Sequence, residues 1–423
     1  MNALKTLAAI FLLAAASLTT AQADVPVTNP PAASTSALST THTERLPGVD
    51  LAEGISQITG TAISPLLGVS SVGAWRYYHT SGTMRERLPW FCHPLAWRFG
   101  FALLGLCFFK DFFGTIAPPF LKKPLDMIEL FENKLSALVA SAAFVPFIAA
   151  QMAQQIPPPS QSSLATSGLN YASMLPLGST SLEVRPLLIP FCILSFLVVW
   201  MTCHAINVLI ALCPFGFIDA LLKLCKSLLL SAIVLCSLIN PYLGAALSVI
   251  IIAIAAYLAP AAFRLTLFGT LFATDTLLPW RGKRLATPAE PHAFVSFRAS
   301  GVATRTFGRI VRGPDGAVHF RYRPWLILPR RSIPLPKGAF AISRGILFPS
   351  LLYRENGADG YAEVIAFLPR YRTFASEIAG HLEIVDVRDG SIASGFKAIR
   401  AWFVETLGLE KPRESHLPHA QVV

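Results

Sequence analysis

The sequence predicts an α-helical multi-pass membrane bundle followed by a C-terminal β-rich soluble domain of α+β type. Three observations lead there. The 423 residues are 53% hydrophobic and only 14% charged, too apolar for an ordinary soluble chain, whose charged share is near a quarter. Four stretches, about 135 to 153, 187 to 212, 219 to 239 and 241 to 262, are long and apolar enough to span a bilayer. From about residue 291 the texture changes to short alternating runs parted by turn residues.

The elements follow in chain order. Residues 1 to 23 carry one early charge at Lys5, an apolar run from Leu7 to Leu18, and Ala21-Gln22-Ala23 before Asp24, the pattern of a secretory signal peptide with an A-x-A cleavage site. Residues 24 to 54 open with a stretch rich in Pro, Ser, Thr and Ala that cannot build a core, and read as a disordered extracytoplasmic segment. The helical membrane domain is expected over 55 to 265. Besides its four clear spans it holds two ambiguous stretches: 55 to 75, weakly apolar and interrupted by Pro65, and 98 to 118, apolar but carrying Lys110 and Asp111. The last two spans meet at Asn240-Pro241-Tyr242, where proline ends one helix and a tight helical hairpin is expected.

Lysine and arginine in short loops are retained on the cytoplasmic side. None occurs between Lys134 and Arg185, so that loop is expected outside, while Lys122, Lys123, Lys223, Lys226, Arg264 and Arg281-Gly282-Lys283-Arg284 are expected inside. An exported N-terminus and an internal C-terminus need an odd number of crossings. Five are predicted, the four clear spans plus one ambiguous stretch. Arg76, Arg85, Arg87 and Arg98 favour the inside, which selects 55 to 75 as the crossing and leaves 98 to 118 as a re-entrant or interfacial element. The expected location is a bacterial inner (cytoplasmic) membrane with the C-terminal domain cytoplasmic.

Pro65-Leu66-Leu67-Gly68, Leu88-Pro89-Trp90 and His93-Pro94, the pair Lys110-Asp111, and Cys213-Pro214-Phe215-Gly216-Phe217 before a helical hairpin occur in an order that resembles the bacterial membrane domain-of-unknown-function family four thousand one hundred twenty-six. The similarity covers about residues 55 to 265. It departs in the Cys-Pro-Phe-Gly-Phe element and in the large tail. The resemblance implies a helical inner-membrane bundle and carries over no catalytic residue.

Charge in hydrocarbon is costly, so buried polar groups are the candidates for function. Lys110 and Asp111 are adjacent, about 100° apart on a helix, and each needs its own partner or water; the bland alternative is a headgroup position with the lysine snorkelling. His204 and Asn207, three apart, share a helix face and suit a substrate path or a plain interhelical hydrogen bond. Asp219 and Lys223 read as a local ion pair. Ser136, Ala137, Ala140 and Ser141 give the small-residue spacing of close helix packing. The seven cysteines fall in or beside apolar stretches with no C-x-x-C pair, which fits core filling better than disulfides or zinc. No phosphate-loop, hydrolase-elbow or zinc-protease motif occurs, and no cofactor is expected.

Residues 266 to 290 read as a basic linker, 291 to 410 as the cytosolic domain and 411 to 423 as a tail. Residues 281 to 423 hold 21 Lys/Arg and 12 Asp/Glu, nine of the formal net charge of +11. Strands are expected around 292 to 297 and 361 to 367, with turns at Gly313-Pro314-Asp315-Gly316 and Asn356-Gly357; Ile392, Phe396, Ile399, Trp402, Phe403 and Leu407 predict a closing amphipathic helix. Strands closed by a helix are also the order of elements in pleckstrin-homology-like barrels. Arg321, Arg323, Trp325, Arg330 and Arg331 mix cations with an aromatic and are a candidate contact for anionic lipid headgroups, against the alternative of arginines that merely guard a strand edge. The expected partners are the bilayer and a cytosolic protein; no recognition motif supports nucleic acid. The leading reading is a non-enzymatic membrane anchor for a cytosolic binding or scaffolding domain. The alternative is a small-solute or ion permease using Lys110, Asp111, His204 and Asn207.

Overall fold

The structure, a computed structural model, describes residues 48–114, 119–154, 184–212, 216–296, 302–313, 316–335, 338–345, 348–354 and 361–389. The expected signal peptide and the closing helix over 392 to 407 lie outside them. The chain divides into two compact units, one of residues 1–110, 132–200 and 226–256, the other of residues 111–131, 201–225 and 257–423.

The first unit begins with two helices, α1 (Val49–Ile63) and α2 (Pro65–His79), where a single span over 55 to 75 was expected. Pro65 is the cause. It excludes the α conformation at the preceding residue, and Ser64 sits at φ −138°, ψ 87°. Each helix has 15 residues, about 22 Å, short of the ~30 Å hydrocarbon layer. They fold back closely enough that a Cβ on Gly68 would lie 2.7 Å from the Thr61 Cα.

Phe91 is fully buried, its ring 5.8 Å from that of Phe144 and 5.6 Å from that of Phe147. The helix α3 (Pro94–Gly114) follows it. Next come α4 (Pro119–Val139), a wide turn over Ala140–Phe144, and α5 (Val145–Gln154). Pro146 has no N–H to offer Ala142, and the helix widens at that place. Ala137, Ala140 and Ser141 are buried, as the small-residue spacing predicts.

The helices α6 (Val184–Leu212), α7 (Gly216–Ile239) and α8 (Pro241–Leu277) complete the helical part. Only Asn240 separates α7 from α8. Its Oδ1 accepts the Tyr242 N–H at 2.9 Å, so the expected hairpin is closed by a capping asparagine. Four helical stretches among the described residues are long and apolar enough to cross a membrane: Asp126–Gln154, Leu187–Leu212, Ile218–Ile239 and Pro241–Leu277. They contain the four clear spans.

The expected linker over 266 to 290 is instead mostly helix, α8 to Leu277 and then α9 (Pro279–Arg284). Leu267, Phe268, Leu271 and Phe272 continue the 3.6-residue period, and the helix persists because those rings join the core of the sheet: Phe268 meets Phe294 edge-on at 4.9 Å, and Phe272 meets Phe348 at 6.0 Å.

The sheet has eight strands: β1 (His292–Val295), β2 (Phe307–Arg312), β3 (Val318–Tyr322), β4 (Arg331–Pro334), β5 (Ala339–Arg344), β6 (Ser350–Arg354), β7 (Ala362–Phe367) and β8 (Asp386–Asp389). Their order is β4-β3-β2-β1-β7-β6-β5-β8. All pairs are antiparallel except β5 with β8, which needs a crossover and receives it through α10 (Ala375–Leu382). Phe294, Ile310, Ile342, Leu351, Phe367, Tyr371 and Ile378 are fully or almost fully buried. Arg370 clamps this domain to α8 with two bonds of 2.7 Å to the Asp275 carboxylate.

Candidate functional site

A concavity lined by three arginines lies within the second unit, where α8 meets the loop between β3 and β4. Arg264 and Phe263 enter it from α8, Tyr322 and Arg323 from the end of β3, and Arg331 from the start of β4, around a cleft of about 200 Å³. The described residues lining it include no acidic side chain. Arg264 is oriented by its Nε, which donates to the Thr304 carbonyl at 3.1 Å.

Trp325 stands over this cleft with its ring 4.9 Å from that of Phe263. It and Leu326 have left-handed backbones, φ 53° and 62°. Side chains rarely tolerate that conformation. Beyond them Ile327 is 87% and Leu328 46% exposed. Of the five residues expected to contact anionic lipid, Arg323, Trp325 and Arg331 line the cleft, while Arg321 and Arg330 are exposed next to it in the chain. Sequence reading missed Arg264, which sits on a helix 59 residues before Arg323 and is brought in only by folding.

The intramembrane candidates lie on two helices. Lys110 is half-buried on α3 in the first unit, and Asp111 is the next residue of that helix. His204 is fully buried and Asn207 half-buried on α6, in the second unit. Asp219 and Lys223 do form the expected ion pair, at 3.3 Å. Among the described residues, no group of three or more His, Cys, Asp or Glu is placed to hold a metal ion.

A second concavity, of about 340 Å³, is lined by Tyr77, Arg85, Glu86, Cys92, His93 and Pro94. It pairs a cysteine with a histidine, but the thiol is a poor nucleophile. Burial pushes Cys92 up to about 11 against the opposing charge of Arg76, so it stays protonated at neutral pH.

Two buried polar clusters serve the sheet. Arg309 Nε donates to His292 Nε2 at 3.0 Å, and the other ring nitrogen of His292 lies 3.3 Å from the Tyr371 hydroxyl. Burial, then the charges of Arg309 and Arg370, push His292 down to about 4, which keeps it neutral and fixes its proton on Nδ1 toward Tyr371. Ser296 Oγ donates to Glu363 Oε1 at 2.6 Å. Burial raises the Glu363 carboxyl above its usual range, with Ser296 and Arg305 acting in opposition.

No family model, curated protein or solved structure matches the chain.

Proposed function

We propose that this chain is a five-crossing inner-membrane protein of non-enzymatic character that anchors a cytosolic binding or scaffolding domain at the membrane. The observation that carries this reading is α8. Its first part exposes Leu243, Val249, Ile250, Ile254 and Tyr257, and its continuation buries Leu265, Phe268 and Phe272 in the core of the sheet domain. The end of this helix is thus part of the sheet domain, bound to it by Asp275 and Arg370. The order β4 to β1 followed by β7 to β5, then a helix, is what supports the finer pleckstrin-homology-like reading; the parallel strand β8 departs from it.

The geometry of the first unit supports α3 as the fifth crossing, in place of residues 55 to 75. The Arg76 guanidinium donates to Gln151 Oε1 at 2.5 Å, a Cβ on Gly54 would strike Met152, and Phe91 packs on Phe144 and Phe147. Gln151 and Met152 lie at the end of α5 that leads into the Lys/Arg-free stretch, expected outside, and Phe144 and Phe147 lie one to three turns before it. Because α1 and α2 are equal in length and fold back at Ser64, they form a hairpin that enters and leaves on one side. The chain must then reach the opposite end of α4, and α3, with 21 residues or about 31 Å, is long enough to take it there. Its apolar side chains are exposed around the helix, from Leu95 and Phe99 to Leu106 and Phe108, whereas a helix lying in the interface needs a polar face. Arg76 and Arg85 then lie outside, held by Gln151 and by the Thr80 carbonyl.

Alkaline phosphatase and green fluorescent protein fused after residues 85, 126, 170 and 285 test this. The expected result is 85 and 170 outside, 126 and 285 inside. If 85 reports inside, α3 does not cross; if 285 reports outside, the cytosolic domain and the scaffold reading both fall.

A further inference from the structure

We propose that the loop joining β3 to β4 inserts into the inner leaflet and that the cleft beneath it binds the phosphate of an anionic phospholipid headgroup. This rests on the membrane-anchored reading above and names the ligand of that domain. The loop has an apolar tip, Trp325-Leu326-Ile327-Leu328, bracketed by Arg321 and Arg323 on one side and Arg330 and Arg331 on the other. Exposing Ile327 at 87% and Leu328 at 46% to water is unfavourable, and a soluble surface gains nothing from it. At a bilayer interface the same tip reaches acyl chains while tryptophan and arginine occupy the headgroup level.

Position agrees with composition. The Trp325 ring lies tilted against that of Phe263, less than two turns along α8 from Tyr257, which is 84% exposed within the apolar exposed stretch. The loop therefore lies where α8 leaves the hydrocarbon. Arg323 and Arg331 line the cleft, Arg264 enters it from α8, and the described lining residues include no acidic side chain, the arrangement expected for a phosphate. Edge protection alone does not account for this. It explains arginines beside β4, which ends the strand order, but an apolar tip exposing Trp325, Ile327 and Leu328 there would invite the association that the arginines oppose.

The test uses the full chain purified in detergent and reconstituted into phosphatidylcholine vesicles with or without phosphatidylglycerol. With lipids brominated near the headgroup end of the acyl chains, the expected result is tryptophan quenching that is reduced in W325F, a variant that keeps an aromatic ring on Phe263. Removing two cleft charges, R323Q with R331Q, is expected to weaken retention of phosphatidylglycerol in detergent about twenty-five-fold, near fivefold per arginine. Phosphatidylcholine retention should not change.

Equal quenching in the native protein and W325F, or unchanged phosphatidylglycerol retention in the double variant, overturns the proposal. So does displacement of the lipid by inorganic phosphate at micromolar concentration, which would mark a site for the free anion. Alkaline carbonate washing separates the two levels. If the native chain is washed off the vesicles, the membrane reading itself fails; if it stays and Trp325 is unquenched, only the lipid site falls.

Discussion

The two halves of α8 bury opposite things. From Pro241 to Tyr257 the helix turns valine, isoleucine and tyrosine outward and keeps Ser248 inside, fully buried. From Ala262 to Leu277 it turns leucine and phenylalanine inward, and its one carboxylate, Asp275, is buried only because Arg370 grips both its oxygens. On the proposed membrane reading, one continuous helix thus meets two solvents. In the first half the oily surface is the outside and polar groups need partners because they are hidden; in the second the hydrophobic effect does the folding and a buried charge must be matched. The neighbouring α7 resembles the first half in extreme form, with only 6% of its apolar window buried within the protein.

The largest effect should come from breaking the matched charge. Arg370→Ala leaves the Asp275 carboxylate buried without its fork-like partner, a change that typically costs about 3–5 kcal/mol. Thermal unfolding of the purified protein should lose the sheet transition by many degrees while the helical signal persists. Arg370→Lys should recover only part, since one ammonium cannot make both 2.7 Å bonds. Equal loss in both signals would mean that the two halves of α8 do not unfold separately.

A smaller effect follows from His292. Its folded value is near 4 and the unfolded one near 6.5, so between these pH values the unfolded chain binds more protons. The contribution to stability is complete above about pH 6.5 and is lost as pH falls toward 4, amounting to about 2–3 kcal/mol at the acid end. His292→Gln should flatten the acid limb of a stability–pH curve measured on the sheet signal. An unchanged limb would assign the acid sensitivity to other groups.

How much of this was legible depended on which solvent wrote the pattern. The four long spans are continuous apolar runs, and the hairpin at Asn240-Pro241 is a local rule that needs no tertiary information. The hairpin at Ser64-Pro65 was equally local, yet a window over 55 to 75 averages across the proline and reads one weak span. Arg76, Arg85, Arg87 and Arg98 favour the inside by their number, but charge counting does not see that Arg76 is bound by Gln151. Strands β1 and β7 followed from alternation. That Phe268 and Phe272 belong to a sheet core, and that Arg264 joins Arg323 and Arg331, rests on contacts between residues far apart in sequence, which periodicity does not encode.

The smallest predicted effect sharpens the contrast best. In the helical part, Trp200 Nε1 donates to Asn133 Oδ1 at 3.1 Å, joining α6 to α4. Such a bond between helices in lipid resembles the Arg370 clamp in geometry but differs in energetics. The separated helices stay in the membrane, where each polar group finds other partners, so the net worth averages about 0.6 kcal/mol and seldom exceeds about 1.7. Asn133→Leu, which removes the acceptor and fills its volume, should therefore shift unfolding in lipid bicelles by less than about 2 kcal/mol. Trp200→Phe should do little more, and the double variant should equal the larger single change if the bond is their whole interaction. A loss as large as that of Arg370→Ala would mean that α4 and α6 associate in a water-like setting, and the assignment of these helices to the bilayer would have to be withdrawn.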